Sequence, residues 1–396
     1  MKTGDLSADP IVGLSRNSYM SPAQFQHELL AIHHVSWLYG CHASEVGLPG
    51  EFVTRQVGRD DSIIIVRGED GQVRAFANLC RHRGSRLCHE DHGHVRRLVC
   101  PYHQWRYATD GNLLSANRMR DGIDLNFADH GLVAIAAETW GGHVFICLSD
   151  PQAPLAPLLS AAAVGLSDYS PEATKVAARR CYPIAANWKL VMENFWECYH
   201  CATRHPEFSA IADVGGLEDT DFGTVTEPGA ALSPVIGGAL PLKPGFTSLT
   251  LDGRPACRRR FGRFQSEIAV SDPVQTTGFI LRHSTAVTYF PDHGIVLDFQ
   301  PRGVDQTLLV ARWLVPADAV EGQDYVTENL VALWDITNIQ DGVLAEGNAA
   351  GVRSSFYKPG PISRAHEPGI HEFHRFCAAA LARTPALASS GSALSS

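Results

Sequence analysis

Residues 78–107 read NLCRHRGSRLCHEDHGHVRRLVCPYHQWRY, with three cysteines and five histidines among 30 residues. This stretch contains Cys80-x-His82 and, after 17 intervening residues, Cys100-x-x-His103. The β-rich runs 95–100 and 104–108 predict short strands, so each Cys/His pair is expected in a tight loop. Two such loops can close on one inorganic centre.

Two kinds of centre use two cysteines and two histidines. A Rieske 2Fe-2S cluster has thiolates on one iron and imidazoles on the other. A structural zinc site takes the same residue types, but it usually pairs like with like. Because each pair here combines one cysteine with one histidine, the pattern favours the cluster, with zinc as the alternative. The intervening Cys88, His89, His92 and His94 are interpreted as non-ligands, since four ligands complete the cluster.

A second window, NWKLVMENFWECYHCATRHPEF (187–208), carries two more histidines. His200 and His205 would diverge by about 140° on a straight helix. Pro206 disfavours helical backbone at the residue before it, so the helix is expected to end between the two histidines. Two imidazoles and one carboxylate form the facial triad of non-haem Fe(II) oxygenases. Taken alone, such a pair is more often an ordinary surface or core pair.

Length and composition exclude several classes of protein. A chain of 396 residues, 45% hydrophobic and 19% charged, predicts two globular domains. A net charge of −9 without a basic run argues against nucleic-acid binding. No apolar run reaches the roughly 18 residues of a membrane span, and no signal-peptide core is present, so a cytoplasmic protein is expected. Cysteines rarely pair in that compartment, and the clustering of Cys198 and Cys201 around His200 is more typical of a metal site.

Hydrophobic patterning predicts the secondary structure. The runs 62–67 and 72–77 bracket a GEDG turn and predict a β-hairpin, and 143–148 predicts a further strand. An apolar stripe predicts a helix over 187–201. Later segments predict strands at 278–290, 294–299 and 306–315 and a helix over about 323–350.

The motifs occur in the order of a known family. C-x-H-R-G and C-P-Y-H-x-W are followed by N-W-K, E-N-F, E-x-Y-H and H-P. Over roughly residues 15–375, the chain resembles the catalytic (alpha) subunit of Rieske non-haem iron oxygenases. The resemblance implies an α+β fold, with an all-β Rieske domain and a helix-grip-like catalytic domain of antiparallel sheet and helices. The implied division is an N-terminal arm (1–44), a Rieske domain (45–155), a catalytic domain (156–385) and a disordered tail (386–396).

The resemblance also implies roles for individual residues. The 2Fe-2S cluster would be held by Cys80, His82, Cys100 and His103, and the mononuclear iron by His200, His205 and Asp341. Asp335 and Glu346 compete with Asp341 for the last position. Glu197 would join His200 to the cluster histidine His103 of a neighbouring subunit, with a helix-surface acid as the alternative. Ala349 stands where relatives often have glutamine, a difference expected to alter the surroundings of the iron.

The same resemblance implies partners. Family members are homotrimers, or hexamers of stacked trimers, in which one subunit's cluster approaches the next subunit's iron. O₂ is the co-substrate. The chain has no G-x-G-x-x-G motif after a strand and no all-cysteine ferredoxin spacing. A separate flavin or iron–sulfur reductase is therefore expected to deliver electrons from NAD(P)H.

The substrate class rests on finer likeness. The string E-C-Y-H-C (197–201) resembles the branch that oxidises quaternary ammonium compounds such as glycine betaine, proline betaine, choline and carnitine. A cation without N–H donors is best held by aromatic faces, and the candidates are Trp196, Tyr199, Phe208, Tyr289 and Phe290. The alternatives are an aromatic ring-hydroxylating dioxygenase, a non-enzymatic Rieske electron carrier and a zinc-binding structural protein.

Overall fold

The computed structural model describes residues 11–117, 119, 125–151, 153–214, 234–265 and 276–384. The predicted tail, 386–396, lies outside the described residues. Every strand pairing in the described chain is antiparallel. No helix in these ranges is both long and apolar enough to cross a membrane.

The first domain is built from two sheets. Seven strands lie in the order β2-β11-β10-β5-β4-β3-β6, and three more form the small sheet β7-β8-β9. Their bounds are β2 Leu38–His42, β3 Glu51–Val57, β4 Asp61–Arg67, β5 Val73–Ala77, β6 His92–His94, β7 Leu98–Val99, β8 Arg106–Tyr107, β9 Leu113–Ser115, β10 Ala134–Trp140 and β11 His143–Cys147. The predicted hairpin of β4 and β5 is present, because the apolar run Ile63–Val66 is fully buried in the sheet.

The second domain is a six-stranded sheet covered by helices. Its order is β12-β17-β16-β15-β14-β13, with bounds β12 Thr174–Ile184, β13 Val235–Gly238, β14 Thr277–Leu281, β15 Thr285–Tyr289, β16 Gly294–Gly303 and β17 Gln306–Pro316. The helices are α3 Leu155–Ala162, α4 Trp188–Phe195, α5 Cys201–Arg204, α6 Pro206–Ile211, α7 Thr327–Arg353 and α8 Pro368–Arg383. The long helix α7 packs on β12 and on α4, and α4 in turn packs on β16 and β17. The expected α+β fold is confirmed.

The N-terminal segment is shared between the two domains. Strand β1 (Ile11–Val12) pairs with β18 (Pro361–Ile362). Helices α1 (Arg16–Met20) and α2 (Pro22–Glu28), followed by a π-helical turn, pack on the second domain. There Glu28 forms a buried salt bridge of 2.5 Å with Lys189 of α4. Strand β2, by contrast, pairs with β11 of the first domain. The chain passes from the second domain to the first directly after the π-helical turn. The first sheet therefore begins with β2, before residue 45, which was predicted from the sequence as the start of the first domain.

One difference from the predicted secondary structure concerns the site. The helix expected over 187–201 ends at Phe195, and a turn separates it from α5. In this turn the Glu197 carboxylate accepts hydrogen bonds from the backbone N–H groups of Tyr199 and His200. The Glu197 side chain thus takes two backbone N–H groups that, in a continuing helix, would donate to backbone carbonyls one turn earlier.

Candidate functional site

The two Cys/His pairs meet at one end of the first domain. Cys80 and His82 lie in the loop after β5, and Cys100 and His103 lie in the turn between β7 and β8. Both cysteines are 1% exposed, and the ring centroids of the two histidines are 4.7 Å apart. Gly84 has φ of +74°, which lets the first loop turn back, and the backbone N–H of Gly84 donates a hydrogen bond to the carbonyl of Cys80. The fold therefore brings all four predicted residues together.

The surroundings of the four residues fit a cluster. Nδ1 of His82 and Nδ1 of His103 are buried and have no hydrogen-bond partner among the described residues. Buried imidazole nitrogens of this kind are normally satisfied, so two together fit a pair of metal ligands. The Tyr107 hydroxyl and Sγ of Cys80 share a hydrogen bond of 3.3 Å, and the indole of Trp105 stacks on the His82 ring with the ring centroids 4.9 Å apart. These contacts fix the loop residues and shield one side of the centre.

The second group of predicted residues converges near helix α7. His205 caps α6 with φ of −123°, outside the helical region, as expected of the residue before Pro206. Its Nε2 lies 3.1 Å from Nε2 of His200 and 2.9 Å from Oδ1 of Asp341. Nε2 of His200 and Oδ1 of Asp341 are 3.3 Å apart. An octahedral ion with bonds of roughly 2.1 Å has neighbouring ligands about 3.0 Å apart. The three atoms therefore have the spacing of one face of a metal site.

Outer contacts orient both imidazoles toward that face. Nδ1 of His200 contacts the Glu197 carboxylate, and Nδ1 of His205 donates to Oε1 of Gln340 at 2.7 Å. Each contact leaves Nε2 as the atom that faces the shared centre. The Glu197 side chain is 11% exposed, so it is not a freely solvated surface acid.

The charges at this centre match a cation. Burial lowers the pKa of His200, but hydrogen bonds to Asp341 and Glu197 outweigh burial and raise the pKa to about 9. Burial raises the pKa of Asp341, yet its bonds to His200 and His205 hold that pKa below its usual value. The site thus favours added positive charge, which a divalent metal ion would supply in place of protons.

The competing carboxylates are engaged elsewhere. Asp335 bonds to Arg180 at 2.8 Å and to Tyr182 at 2.5 Å, and Glu346 accepts the backbone N–H of Ala185. Neither takes part in the convergence of the two histidines. Ala349, expected to affect the surroundings of the iron, is 4% exposed within the hydrophobic core. The side-chain amide that contacts His205 belongs to Gln340, and the expectation about Ala349 stays a prediction.

A pocket opens beside the converging residues. Its lining contains Glu197, His200, His205 and Asp341 together with mostly apolar side chains from α4, α6, α7 and the sheet. The aromatic members are Phe195, Phe208, Phe279 and Trp334. The rings of Phe208 and Trp334 meet at a centroid distance of 5.6 Å, and Phe208 also lies 6.5 Å from the His205 ring. Among the described residues, this lining contains no lysine and no arginine.

Of the five aromatic residues suggested by the sequence, one belongs to this lining. Phe208 lines the pocket, whereas Trp196, Tyr289 and Phe290 are core residues that are at most 3% exposed. Tyr199 is 60% exposed and stacks on His366. Two residues of the site, Trp334 and Gln340, were not predicted from the sequence, although Gln340 directly precedes Asp341 on α7 and Trp334 lies two helical turns before it.

Cys198 and Cys201 form a disulfide across the turn that contains His200. The expectation that cysteines here stay unpaired does not hold for these two. Their Cα atoms are 4.9 Å apart because the chain turns between them, and this separation is within the range of a disulfide. The spacing Cys-x-x-Cys was the sequence signal for this pair.

Comparison with known proteins agrees with this geometry. The family model of the Rieske [2Fe-2S] domain matches residues 36–128, and that of the ring hydroxylating alpha subunit (catalytic domain) matches residues 171–383. The glycine betaine monooxygenase oxygenase subunit of Chromohalobacter salexigens is 38% identical over 377 residues, which cover 90% of this chain and 82% of that protein. The corresponding Pseudomonas aeruginosa subunit is 35% identical over 386 residues, covering 93% and 88%.

A solved structure shows the same fold. The quaternary ammonium Rieske monooxygenase CntA, in complex with its substrate L-carnitine, superposes with a TM-score of 0.71. The match covers 94% of this chain and 96% of that one at 22% sequence identity. At this identity the likeness concerns the arrangement of the domains and strands.

Proposed function

This chain belongs to the Rieske oxygenases with a ring-hydroxylating alpha-subunit catalytic domain, and from that premise we propose that it oxidises a small quaternary ammonium compound. In this proposal, one oxygen atom of O₂ enters an N-methyl or adjacent C–H bond of the substrate. The other atom leaves as water, and two electrons and two protons are consumed. A hydroxylated N-methyl group then collapses to formaldehyde, a tertiary amine and a proton.

The proposal assigns each metal to its residues. Cys80, His82, Cys100 and His103 hold the 2Fe-2S cluster, and His200, His205 and Asp341 hold the mononuclear Fe(II). Such an iron supplies open coordination positions for O₂. The protein contributes the fixed orientation of the imidazoles through Glu197 and Gln340, and a largely apolar pocket that limits water near the reacting carbon.

The observation that carries the substrate class is the character of the pocket. The Phe208–Trp334 corner offers aromatic faces next to His205, and an ammonium group without N–H donors binds best to such faces. The carboxylates of Glu197 and Asp341 line the same pocket. An anionic aromatic acid would find no lysine or arginine in the described lining. The likeness to glycine betaine monooxygenase subunits supports the same class.

Electrons must come from outside the chain in this proposal. The His82 and His103 rings lie near the surface, where the neighbouring Tyr102 is 56% exposed, so another protein can approach this edge of the cluster. We propose that a separate NAD(P)H-dependent reductase delivers these electrons, in the cytoplasm where NAD(P)H is produced. In a homotrimer, or a stack of two trimers, the same edge would face the next subunit's Glu197.

Single turnover tests this function. Chemically reduced protein is mixed with air-saturated buffer and, separately, glycine betaine, proline betaine, carnitine, choline or benzoate, and formaldehyde and hydroxylated products are measured. Formaldehyde in amounts close to one per mononuclear iron, from one ammonium compound, is the expected result. The His200→Ala variant, reduced in the same way, is the matched control and should give none.

The competing functions give different outcomes. A cis-diol from an aromatic compound, with no product from any ammonium compound, would show a ring-hydroxylating dioxygenase. The mostly apolar lining of the pocket is the observation that favours this second candidate function. Absence of bound mononuclear iron in protein with an intact cluster would show an electron carrier instead.

A further inference from the structure

A second large cavity lies between the two domains, apart from both metal sites. Its volume is about 490 Å³, and it shares no lining residue with the pocket beside His200. The Rieske domain contributes β3 and the segment leading into β6, and the catalytic domain contributes β12, β16 and β17. None of the predicted cluster or iron ligands lines it. The cavity is therefore a separate feature.

The lining of this cavity is strongly basic. It contains five arginines, namely Arg55, Arg86, Arg179, Arg302 and Arg312, and the acids Glu45 and Asp91. Arg55 bonds to the buried Asp298 at 3.2 Å, and Arg312 bonds to Glu45 at 2.8 Å. Five arginines thus face three carboxylates, which leaves an excess of two positive charges. In the described chain, Arg302 and Arg179 have no carboxylate within salt-bridge distance.

Several guanidinium donors in this cavity lack partners. Arg55 and Arg312 are each 4% exposed, yet Nε and Nη1 of Arg55 and Nη1 of Arg312 form no hydrogen bond within the described structure. Nε of the partly buried Arg302 also forms no hydrogen bond within the described structure. Buried charged donors are normally paired, because leaving one unsatisfied is costly. These four nitrogens belong to arginines that line one cavity, so the cavity wall has fewer acceptors than its guanidinium groups could use.

Burial and neighbouring charges affect the pKa values of these arginines. Burial lowers the pKa of Arg55 to about 10; Asp298 opposes this shift, while Arg302 and Arg312 add to it. Burial likewise lowers the pKa of Arg302, against the opposing effect of Asp298 and Asp91. For Arg312, by contrast, Glu45, Tyr39 and Asp298 outweigh burial and raise the pKa.

We propose that this interdomain cavity is a binding site for a small dianion with oxygen ligands, of the phosphate, sulfate or dicarboxylate type. Guanidinium groups bind such oxygens through paired, charge-assisted hydrogen bonds. Arg55 and Arg86 come from the Rieske domain, and Arg179, Arg302 and Arg312 come from the catalytic domain. A bound dianion would therefore join the two domains and stabilise the folded protein as its concentration rises.

Titration of the metal-loaded protein tests the proposal. Potassium phosphate, sulfate and succinate are added separately at constant ionic strength set with chloride, and binding is followed by calorimetry and by the thermal unfolding midpoint. We expect saturable binding, one site per chain, and a midpoint that rises with at least one dianion but not with chloride. Comparing the three anions distinguishes an inorganic oxyanion from a dicarboxylate.

Two variants locate the site. Arg302→Gln removes a guanidinium that has no carboxylate partner, and we expect it to weaken binding at least tenfold. Arg59→Gln, at an exposed turn of the Rieske domain, makes the same charge change outside the cavity and should bind as the parent does. Should Arg302→Gln fail to fold, Arg179→Gln tests the same point from an exposed position. No saturable binding, equal effects of chloride, or unchanged affinity in the cavity variant would overturn the proposal.

Discussion

Nδ1 of His205 donates a hydrogen bond of 2.7 Å to Oε1 of Gln340, the residue directly before Asp341 on helix α7. Asp341 itself lies 2.9 Å from the other nitrogen of the same ring. Adjacent residues of one helix therefore contact both nitrogens of one imidazole. This arrangement makes α7 the element that sets both the carboxylate and the orientation of His205.

Replacing Gln340 should weaken the mononuclear iron site. Gln340→Leu removes the acceptor for Nδ1, so the ring can rotate or adopt the wrong tautomer, and we expect iron affinity to fall about 10- to 100-fold. Iron is measured per chain after dialysis against a chelator series, with the visible absorbance of the cluster as an internal reference. Asn348→Leu, at an exposed position of the same helix, is the control. Equal iron retention in both variants would contradict the role of Gln340.

Replacing Glu197 should stop electron transfer without emptying either metal site. The proposed role is to join His200 to the His103 of a neighbouring subunit, and its loss should slow cluster oxidation by substrate and O₂ at least about 100-fold in Glu197→Ala. Stopped-flow absorbance of the cluster checks this.

Glu197 also accepts backbone N–H groups of the turn, so a control must separate the two roles. Glu197→Gln keeps an oxygen acceptor for the turn but removes the charge. If the residue served only the turn, the glutamine variant would transfer electrons at the parent rate. Normal turnover in the alanine variant would remove Glu197 from the pathway altogether.

His200→Ala should separate the two metal centres. One of three converging ligand atoms is lost, so we expect the mononuclear iron to leave while the cluster keeps its colour and both of its irons. Metal analysis and the visible spectrum check this, and His89→Ala, at an exposed position between the cluster pairs, should change neither. Bleaching of the cluster in His200→Ala would mean that the residue had been assigned to the wrong centre.

The sequence predicted the fold wherever a local pattern matched a local structure. The run Ile63–Val66 predicted a buried strand because every residue in it is apolar, and the structure buries all of them. The helix predicted over 187–201 is too long, because here the local pattern does not match the local structure. Its apolar stripe continues past Phe195, but the Glu197 side chain bonds to the backbone ahead of it and the chain turns. The spacing of apolar residues does not show that a side chain will compete with the helix for backbone N–H groups.

The site could be predicted only as far as its motifs extend. Pro206 indicated how His205 could turn back to His200, because the rule concerns neighbouring residues. Gln340 and Trp334 carry no motif, and their roles depend on how α7 lies against α6, which is a tertiary contact. The arginines of the interdomain cavity are spread over residues 55–312, so no window of sequence could group them.

Acid should destabilise the protein through its buried neutral histidines. Burial is the main cause that lowers the pKa of His283 to about 3, and burial lowers that of His42 to about 4. Between the unfolded value of about 6.5 and these folded values, the unfolded chain binds protons that the folded chain does not. The free energy of unfolding should therefore fall as pH decreases from about 6.5 toward 4, by up to about 1.4 kcal/mol per pH unit for each histidine.

His283→Leu checks this dependence. The unfolding midpoint of the variant should change less between pH 6.5 and 4.5 than that of the parent, whatever its value at neutral pH. His89→Gln, which removes an exposed histidine, should keep the parent's slope. An identical slope in His283→Leu would show that His283 does not contribute to acid sensitivity.

Trp334 should distinguish a charged ammonium from its uncharged carbon isostere. A cation over an aromatic face gains roughly 0.5–2 kcal/mol, while an isosteric tert-butyl group gains only apolar contact. Trp334→Leu keeps the pocket apolar but removes one face of the Phe208–Trp334 corner. We therefore expect its affinity for the trimethylammonium substrate to fall about 2- to 30-fold, with little change for the isostere. Competition binding to the oxidised protein measures both, and Trp334→Phe, which retains a ring, should lose less. If both ligands lost affinity equally in Trp334→Leu, the tryptophan would serve packing alone, and recognition of the charge would have to lie with the carboxylates of Glu197 and Asp341.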